Sequence, residues 1–231
     1  MAKYIWCEDS GSGLQFWKTV FSVLDKDIQV QSKGSNTRLR RAAETISDDG
    51  NLYFILMDNA IDNADVLREV KRLKREIKDK DNVETINIHS FEYVLLSFKY
   101  LADWIFAKED DLKDKRKKFL DARRIFIDLQ ENGGIASDLK ELKEKLELSD
   151  AMNTEQISAK LLFEITRNTG FETNKGHLGQ CFVVDCCEWK ERQNDDICGL
   201  DAQRKNSEEK MRDIMEFSVL NEALQKVGLL C

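Results

Sequence analysis

Apolar residues follow two alternating rhythms through the first ninety positions. Tyr4 to Cys7 is a short run rich in β-formers, and Ile28 to Gln31 and Val83 to Ile88 read the same way. Leu52 to Met57 is apolar without interruption, the signature of a strand buried on both faces. Between these runs the spacing turns helical. Leu14, Trp17, Val20, Phe21 and Leu24 form one stripe, Leu39, Ala43 and Ile46 a second, and Val66, Val70, Leu73 and Ile77 a third. Asp9-Ser10-Gly11-Ser12-Gly13 and Asp48-Asp49-Gly50-Asn51 carry loop and turn chemistry. Residues 3–88 therefore read β-α-β-α-β-α-β. Strands alternating with helices predict an α/β fold with parallel pairing and right-handed crossovers.

After residue 89 the strand rhythm stops. Phe91, Val94, Leu95, Phe98, Leu101 and Ile105 predict one strongly apolar helix, and residues 109–131 one charged helix carrying Leu112, Phe119, Ile125 and Leu129. Two more helices are expected near 135–147, capped by Ser137, and 154–168, capped by Asn153 or Thr154. Gly170 to Gly179 reads as a loop and Cys181 to Trp189 as a strand. Residues 205–227 read as a closing amphipathic helix through Ile214, Phe217, Leu224 and Val227. The expected organisation is an α/β core over 1–106 and a mainly helical region over 107–231 with a Cys-rich segment at 177–198, the two able to pack as one domain. Trp6, Trp17, Trp104 and Trp189 are expected in the core.

Composition narrows the class. Proline is absent from all 231 residues, against an average usage of about 5%, which favours long helices. No apolar run reaches the ~18 residues that span a bilayer, and Glu8 interrupts the start before a signal-peptide core could form. A cytoplasmic protein without a membrane partner is expected. The net charge of −7 repels nucleic acid in bulk, so any such contact needs a local basic patch or a divalent cation. The absence of Gly-x₄-Gly-Lys-[Ser/Thr] excludes P-loop ATP hydrolysis.

In a parallel sheet the carboxyl ends of the strands face one crevice, where ligands bind. Glu8 and Asp9 follow the first predicted strand, Ser32, Lys33 and Gly34 the second, Asp58, Asn59 and Asp62 the third, and His89, Ser90 and Glu92 the fourth. Glu8, Asp58 and Asp62 would converge on one edge, with Glu92 as a fourth acid. Such oxygen donors suit Mg²⁺ or Mn²⁺, which keep waters and take phosphate oxygens in their remaining positions. The turn Gly34-Ser35-Asn36-Thr37, opening a helix and followed by Arg38, Arg40 and Arg41, offers N–H groups to a phosphate. Singly, each acid reads first as a cap or turn former, and Asp62 is placed to cap the helix after it; it is their conjunction that points to a site.

Tyr4-Ile5-Trp6-Cys7-Glu8-Asp9-Ser10 followed by Phe16-Trp17 resembles the start of Toprim domains, where a strand ends in a Glu. The Gly34 turn is similar to the Toprim pattern, and Leu56-Met57-Asp58-Asn59-Ala60-Ile61-Asp62 resembles the Asp-rich motif after its third strand. His89-Ser90-Phe91-Glu92-Tyr93-Val94-Leu95-Leu96 resembles a Glu-bearing helix start in Toprim-like proteins encoded beside ATPases, the OLD-nuclease type found in phage defence. The likeness covers about residues 3–106. It implies Glu8 as general acid/base or metal ligand, Asp58 and Asp62 as ligands of Mg²⁺ or Mn²⁺, and phosphodiester cleavage or another phosphoryl transfer on nucleic acid with a partner protein such as an ATPase. The family motif is Asp-x-Asp, and Ala60 stands at its second Asp, so the alternative is a non-catalytic interaction or regulatory module on a degenerate Toprim scaffold.

His177, Cys181, Cys186, Cys187 and Cys198 form a candidate Zn²⁺ group, in which only one of the adjacent pair Cys186 and Cys187 could ligate. The competing reading is buried thiols packing as small hydrophobes. Lys113, Lys115, Arg116, Lys117, Lys118, Arg123 and Arg124 read either as a solvated helix face or as a track for a phosphate backbone.

Overall fold

A computed structural model describes residues 1–60, 62–106, 110–133, 136–173, 176–185 and 205–230. Four strands form one parallel sheet: β1 (Lys3–Cys7), β2 (Ile28–Ser32), β3 (Leu52–Asp58) and β4 (Val83–Ile88), in the order β2-β1-β3-β4. The helices α1 (Ser12–Leu24), α2 (Asn36–Glu44) and α3 (Ala64–Ile77) make the crossovers. The fold class expected from the sequence is thus the fold adopted.

The strand order explains which face each helix covers. The chain steps outward from β1 to β2, then returns past β1 to β3 and continues to β4. Right-handed crossovers force a change of face where the direction reverses. Accordingly α1 packs with Ile5, Cys7, Phe54, Leu56, Ile86 and Ile88 on one face. Leu39 and Ala43 of α2 and Leu73 and Ile77 of α3 cover Tyr53, Ile55 and Met57 on the other. Alternation of side chains along each strand supplies both sets. Between α2 and α3, Arg40 bonds Glu69 at 2.8 Å and Glu76 at 2.7 Å.

The helical region is laid on the α1 face. It comprises α4 (Phe91–Ser97), α5 (Leu101–Phe106), α6 (Asp110–Lys115), α7 (Lys117–Glu131), α8 (Ala136–Lys145), α9 (Thr154–Thr166), α10 (Gln180–Val183), α11 (Ser207–Glu216) and α12 (Leu220–Lys226). Ile157, Leu161 and Leu162 of α9 and Met211 and Ile214 of α11 share one buried cluster with Ile5, Phe16 and Trp17. The core cluster on the α1 face therefore runs through both halves of the chain.

Three expected long helices are each broken in two. The apolar helix from Phe91 stops at Phe98, whose carbonyl accepts from Arg123 Nη2 at 2.8 Å while Leu96 O accepts from Arg123 Nε at 2.6 Å. The charged helix of 109–131 breaks at Arg116. This arginine, 6% exposed, donates to the carbonyls of Ile165 and Arg167 at the end of α9. The closing helix breaks between Glu216 and Leu220, where Phe217 O accepts from Lys99 N at 2.9 Å. At the first and third breaks a contact from elsewhere in the chain captures backbone carbonyls of the broken helix; at the second the arginine at the break reaches out to another helix. Arg116 and Arg123 leave the expected basic face and cap carbonyl ends in the interior, where a cation is favoured.

Smaller corrections follow the same logic. Cys181 and Phe182 are buried in the short helix α10, not in a strand, and the rest of the expected strand beyond Asp185 lies outside the described residues. Ser137 sits inside α8, which begins at Ala136. Asn153 caps α9 in a reciprocal capping box with Gln156. Trp17 and Trp104 are buried and Trp6 partly so, with Lys33 Nζ 3.6 Å from its ring centre; Trp189 lies outside the described residues. Among the described residues, no helix is long and apolar enough to cross a membrane.

Candidate functional site

The reversal of winding lies between β1 and β3, so the crevice of this sheet opens between their carboxyl ends. Cys7 of β1 is in register with Leu56 of β3. Glu8 therefore emerges beside Asp58. Its Oε1 accepts from the backbone N–H of Asp58 at 2.9 Å, and the Asn36 side chain at the start of α2 favours its charged form. Asp58 is 8% exposed, and its Oδ1 has no hydrogen-bond partner in the protein.

A cleft of about 670 Å³ opens here, lined by Glu8, Asp9, Asp58, Glu92 and Glu155, together with Ser10, Gly11 and Ser12 at the start of α1. Asp9 accepts from Trp17 Nε1 at 2.7 Å. It also lies against Gly13, where a Cβ would stand 2.3 Å from its Oδ1. Only glycine at position 13 leaves room for that carboxylate. Glu92 enters from the first turn of α4, whose N-cap Ser90 accepts from Tyr93 N–H at 3.2 Å. Glu155 enters from the first turn of α9, a helix of the other half of the chain.

The described residues lining the cleft include five carboxylates and no Lys, Arg or His. Burial is the main cause of the resulting shifts, and like charge adds to it. Glu8 is pushed up to about 7, chiefly by burial and then by Asp9 and Glu155, against the opposing bond from Asp58 N–H. Asp9 rises to about 6 and Glu92 to about 7 for the same first cause. Asp58 is lifted well above the carboxylate range by burial, then by the charges of Asp9, Glu8, Glu155 and Glu92. Glu155 is raised by burial and by Asp62. Beneath the site, burial holds Cys7 up at about 12, so this thiol stays protonated.

Of the three residues expected to form the site, Glu8 and Asp58 meet and Asp62 stands apart. The Asp62 carboxylate accepts from the N–H and hydroxyl of Thr154 and is not among the cleft-lining residues. The cap of α3 is Asn63, whose side chain accepts from Asp65 and Val66 N–H. Ala60 is buried. At the expected phosphate turn, Gly34 takes φ +80° and its N–H bonds Ser32 Oγ, while Ser35 Oγ accepts from Arg38 N–H at 3.3 Å. Two of the turn's donors are thereby used internally. Arg38 is exposed.

Glu155 carries no signal in the sequence that ties it to the strand ends. It reads as an ordinary acid behind a helix cap, which it also is. Among the described residues, no group of three or more His, Cys, Asp or Glu is gathered into a ready-made metal cage. Of the candidate zinc group, His177 is exposed and Cys181 is buried in the apolar core, while Cys186, Cys187 and Cys198 lie outside the described residues. Compared with protein-family models, curated proteins and solved structures, the chain gives no match.

Proposed function

We propose that the cleft binds a hard divalent cation, Mg²⁺ or Mn²⁺, and that the protein is a Toprim-type phosphoryl-transfer enzyme, a nuclease working with a partner protein. The observation that carries this reading is the pair Glu8 and Asp58 at the winding reversal, with a buried, unpartnered Asp58 oxygen in a cleft whose charged described residues are all acids. Gathering carboxylates out of water is costly unless a cation offsets them. Mg²⁺ commonly takes one or two carboxylates, keeps several waters and binds phosphate oxygens, so Glu8 and Asp58 suffice without a closed cage. Once bound, such an ion polarises a phosphoryl oxygen and makes a bound water more acidic. Glu92, at about 7, is suited to hold or release a proton near neutral pH.

The test uses the protein and its Glu8→Gln variant with supercoiled DNA, single-stranded DNA and RNA, alongside Mn²⁺ binding followed by electron paramagnetic resonance. The wild type is expected to bind Mn²⁺ and cut at least one substrate, and the variant to lose both. Failure of the wild type to bind Mn²⁺ at millimolar concentration would overturn the proposal. Mn²⁺ binding without cleavage favours the second reading, a non-catalytic interaction module. That reading is motivated by Ala60 at the family's second Asp position and by the engagement of Asp62 with Thr154.

A further inference from the structure

Three other unpartnered polar atoms share one small cavity. His89 Nδ1, Tyr93 Oη and Gln130 Oε1 are enclosed without a hydrogen-bond partner in the protein. All three residues line a cavity of about 270 Å³ between α4, α7 and α12. It lies on the far side of the first turn of α4 from the acidic cleft: Glu92 faces one and Tyr93 the other. Buried polar groups are nearly always paired, so three beside one cavity, from two separate stretches of chain, indicate a polar occupant. Tyr93 is 2% exposed, and its hydroxyl is enclosed beside this cavity.

The walls restrict what that occupant can be. Burial keeps the Tyr93 hydroxyl protonated and the His89 imidazole neutral. The deep polar groups are therefore uncharged and include both donors and acceptors. Charge is confined to exposed residues at the mouth, where Lys226 is paired with Glu222 at 2.7 Å beside Glu131. A free anion is thus disfavoured. The His89 and Tyr93 rings meet edge to face, centroids 4.9 Å apart, and give the cavity an aromatic wall. The volume falls just below the range of about 300–1,000 Å³ typical of sites for larger ligands.

We propose that this cavity binds a nucleobase, an uncharged planar heterocycle whose edge presents donors and acceptors to Tyr93, Gln130 and His89. The inference rests on this cavity alone and does not require cleavage at Glu8 and Asp58.

The test is calorimetric titration, in the presence of EDTA, with adenosine, guanosine, cytidine and uridine and with the corresponding single-stranded tetranucleotides. Wild type, Tyr93→Phe and Gln130→Leu are compared. At least one probe is expected to bind with Kd below ~1 mM. Each substitution is expected to weaken it about fivefold, the loss of one hydrogen bond. Tyr93→Phe should keep the wild-type circular dichroism spectrum, since only an unpaired hydroxyl is removed. A nucleoside that binds as well as its tetranucleotide identifies a free ligand; tighter binding of the tetranucleotide identifies a base on a strand. Absence of binding by every probe at ~10 mM, or binding unmoved by both substitutions, overturns the proposal. Glu8→Gln is expected to bind the same probes unchanged, which separates this result from the fate of the cation site.

Discussion

The carboxylate of Asp62 holds Thr154 by three hydrogen bonds: the Thr154 N–H is shared between the two oxygens at 3.1 and 2.9 Å, and its hydroxyl donates at 2.8 Å. The loop after β3 is thereby fastened to the N-terminus of α9, the end where negative charge is favoured. Glu155, the next residue, lines the cleft. Asp62→Ala is expected to destabilise the protein by about 1–2 kcal/mol in urea unfolding. Asp62→Asn, which can still accept from Thr154, should cost less. Equal losses for the two substitutions would contradict the clasp.

The crowding of acids predicts an inverted pH dependence for the metal-free protein. Glu8 and Glu92 at about 7 and Asp9 at about 6 lie above their unfolded values of roughly 4. Between those limits the folded state binds more protons than the unfolded chain, so stability falls as pH rises. It is fully present below the unfolded pKa and is lost as pH passes through about 7. In EDTA the thermal midpoint should be higher near pH 5 than near pH 8. Millimolar Mn²⁺ should raise the midpoint at pH 8 and leave it nearly unchanged at pH 5, where protons compete for the same oxygens. A midpoint indifferent to Mn²⁺ at both pH values would count against the cation reading.

Asp58 concentrates the same conflict in one side chain. Asp58→Asn removes a carboxyl that burial and four neighbouring acids disfavour as an anion. The variant is expected to be as stable as the wild type or more so in EDTA at pH 8, and to bind Mn²⁺ at least tenfold more weakly. Stability and function opposing each other at one position is a common signature of a working site. A variant that loses stability and keeps Mn²⁺ affinity would assign Asp58 to packing.

Gly11 places a further constraint on the cleft. Its φ is +59°, and a Cβ there would stand 2.9 Å from Gly176 Cα. Gly11→Ala combines a left-handed strain with a backbone clash, so a loss of about 1–3 kcal/mol is expected. Gly50→Ala carries the strain alone, with nothing within 4 Å. Gly11→Ala is expected to lose more than Gly50→Ala in urea unfolding, and equal losses would count against the close approach to Gly176.

Local patterning was enough for the sheet. A six-residue apolar run at Leu52–Met57 has few ways to be buried except as a central strand, and the helical stripes between strands then set parallel pairing and crossover hand. From that frame Glu8 and Asp58 follow directly, because the residue after each strand must lie at the same edge. The helical half was legible as helices but not as their breaks. Phe91–Phe106 contains neither Gly nor Pro, and nothing local ends it at Phe98; the guanidinium of Arg123 does so from another helix.

The sequence alone thus determined the α/β class, the four strands of the sheet and the acids Glu8, Asp58 and Glu92 at their ends, because these depend on neighbours a few residues apart. Tertiary structure decided which acids share the cleft. It moved Asp62 from expected ligand to clasp, brought in Glu155 from the other half of the chain, and turned Arg116 and Arg123 from an expected basic surface into interior caps. Each depends on a contact between segments far apart in the chain, and only the packed core fixes which of many chemically equal carboxylates and guanidinium groups face each other.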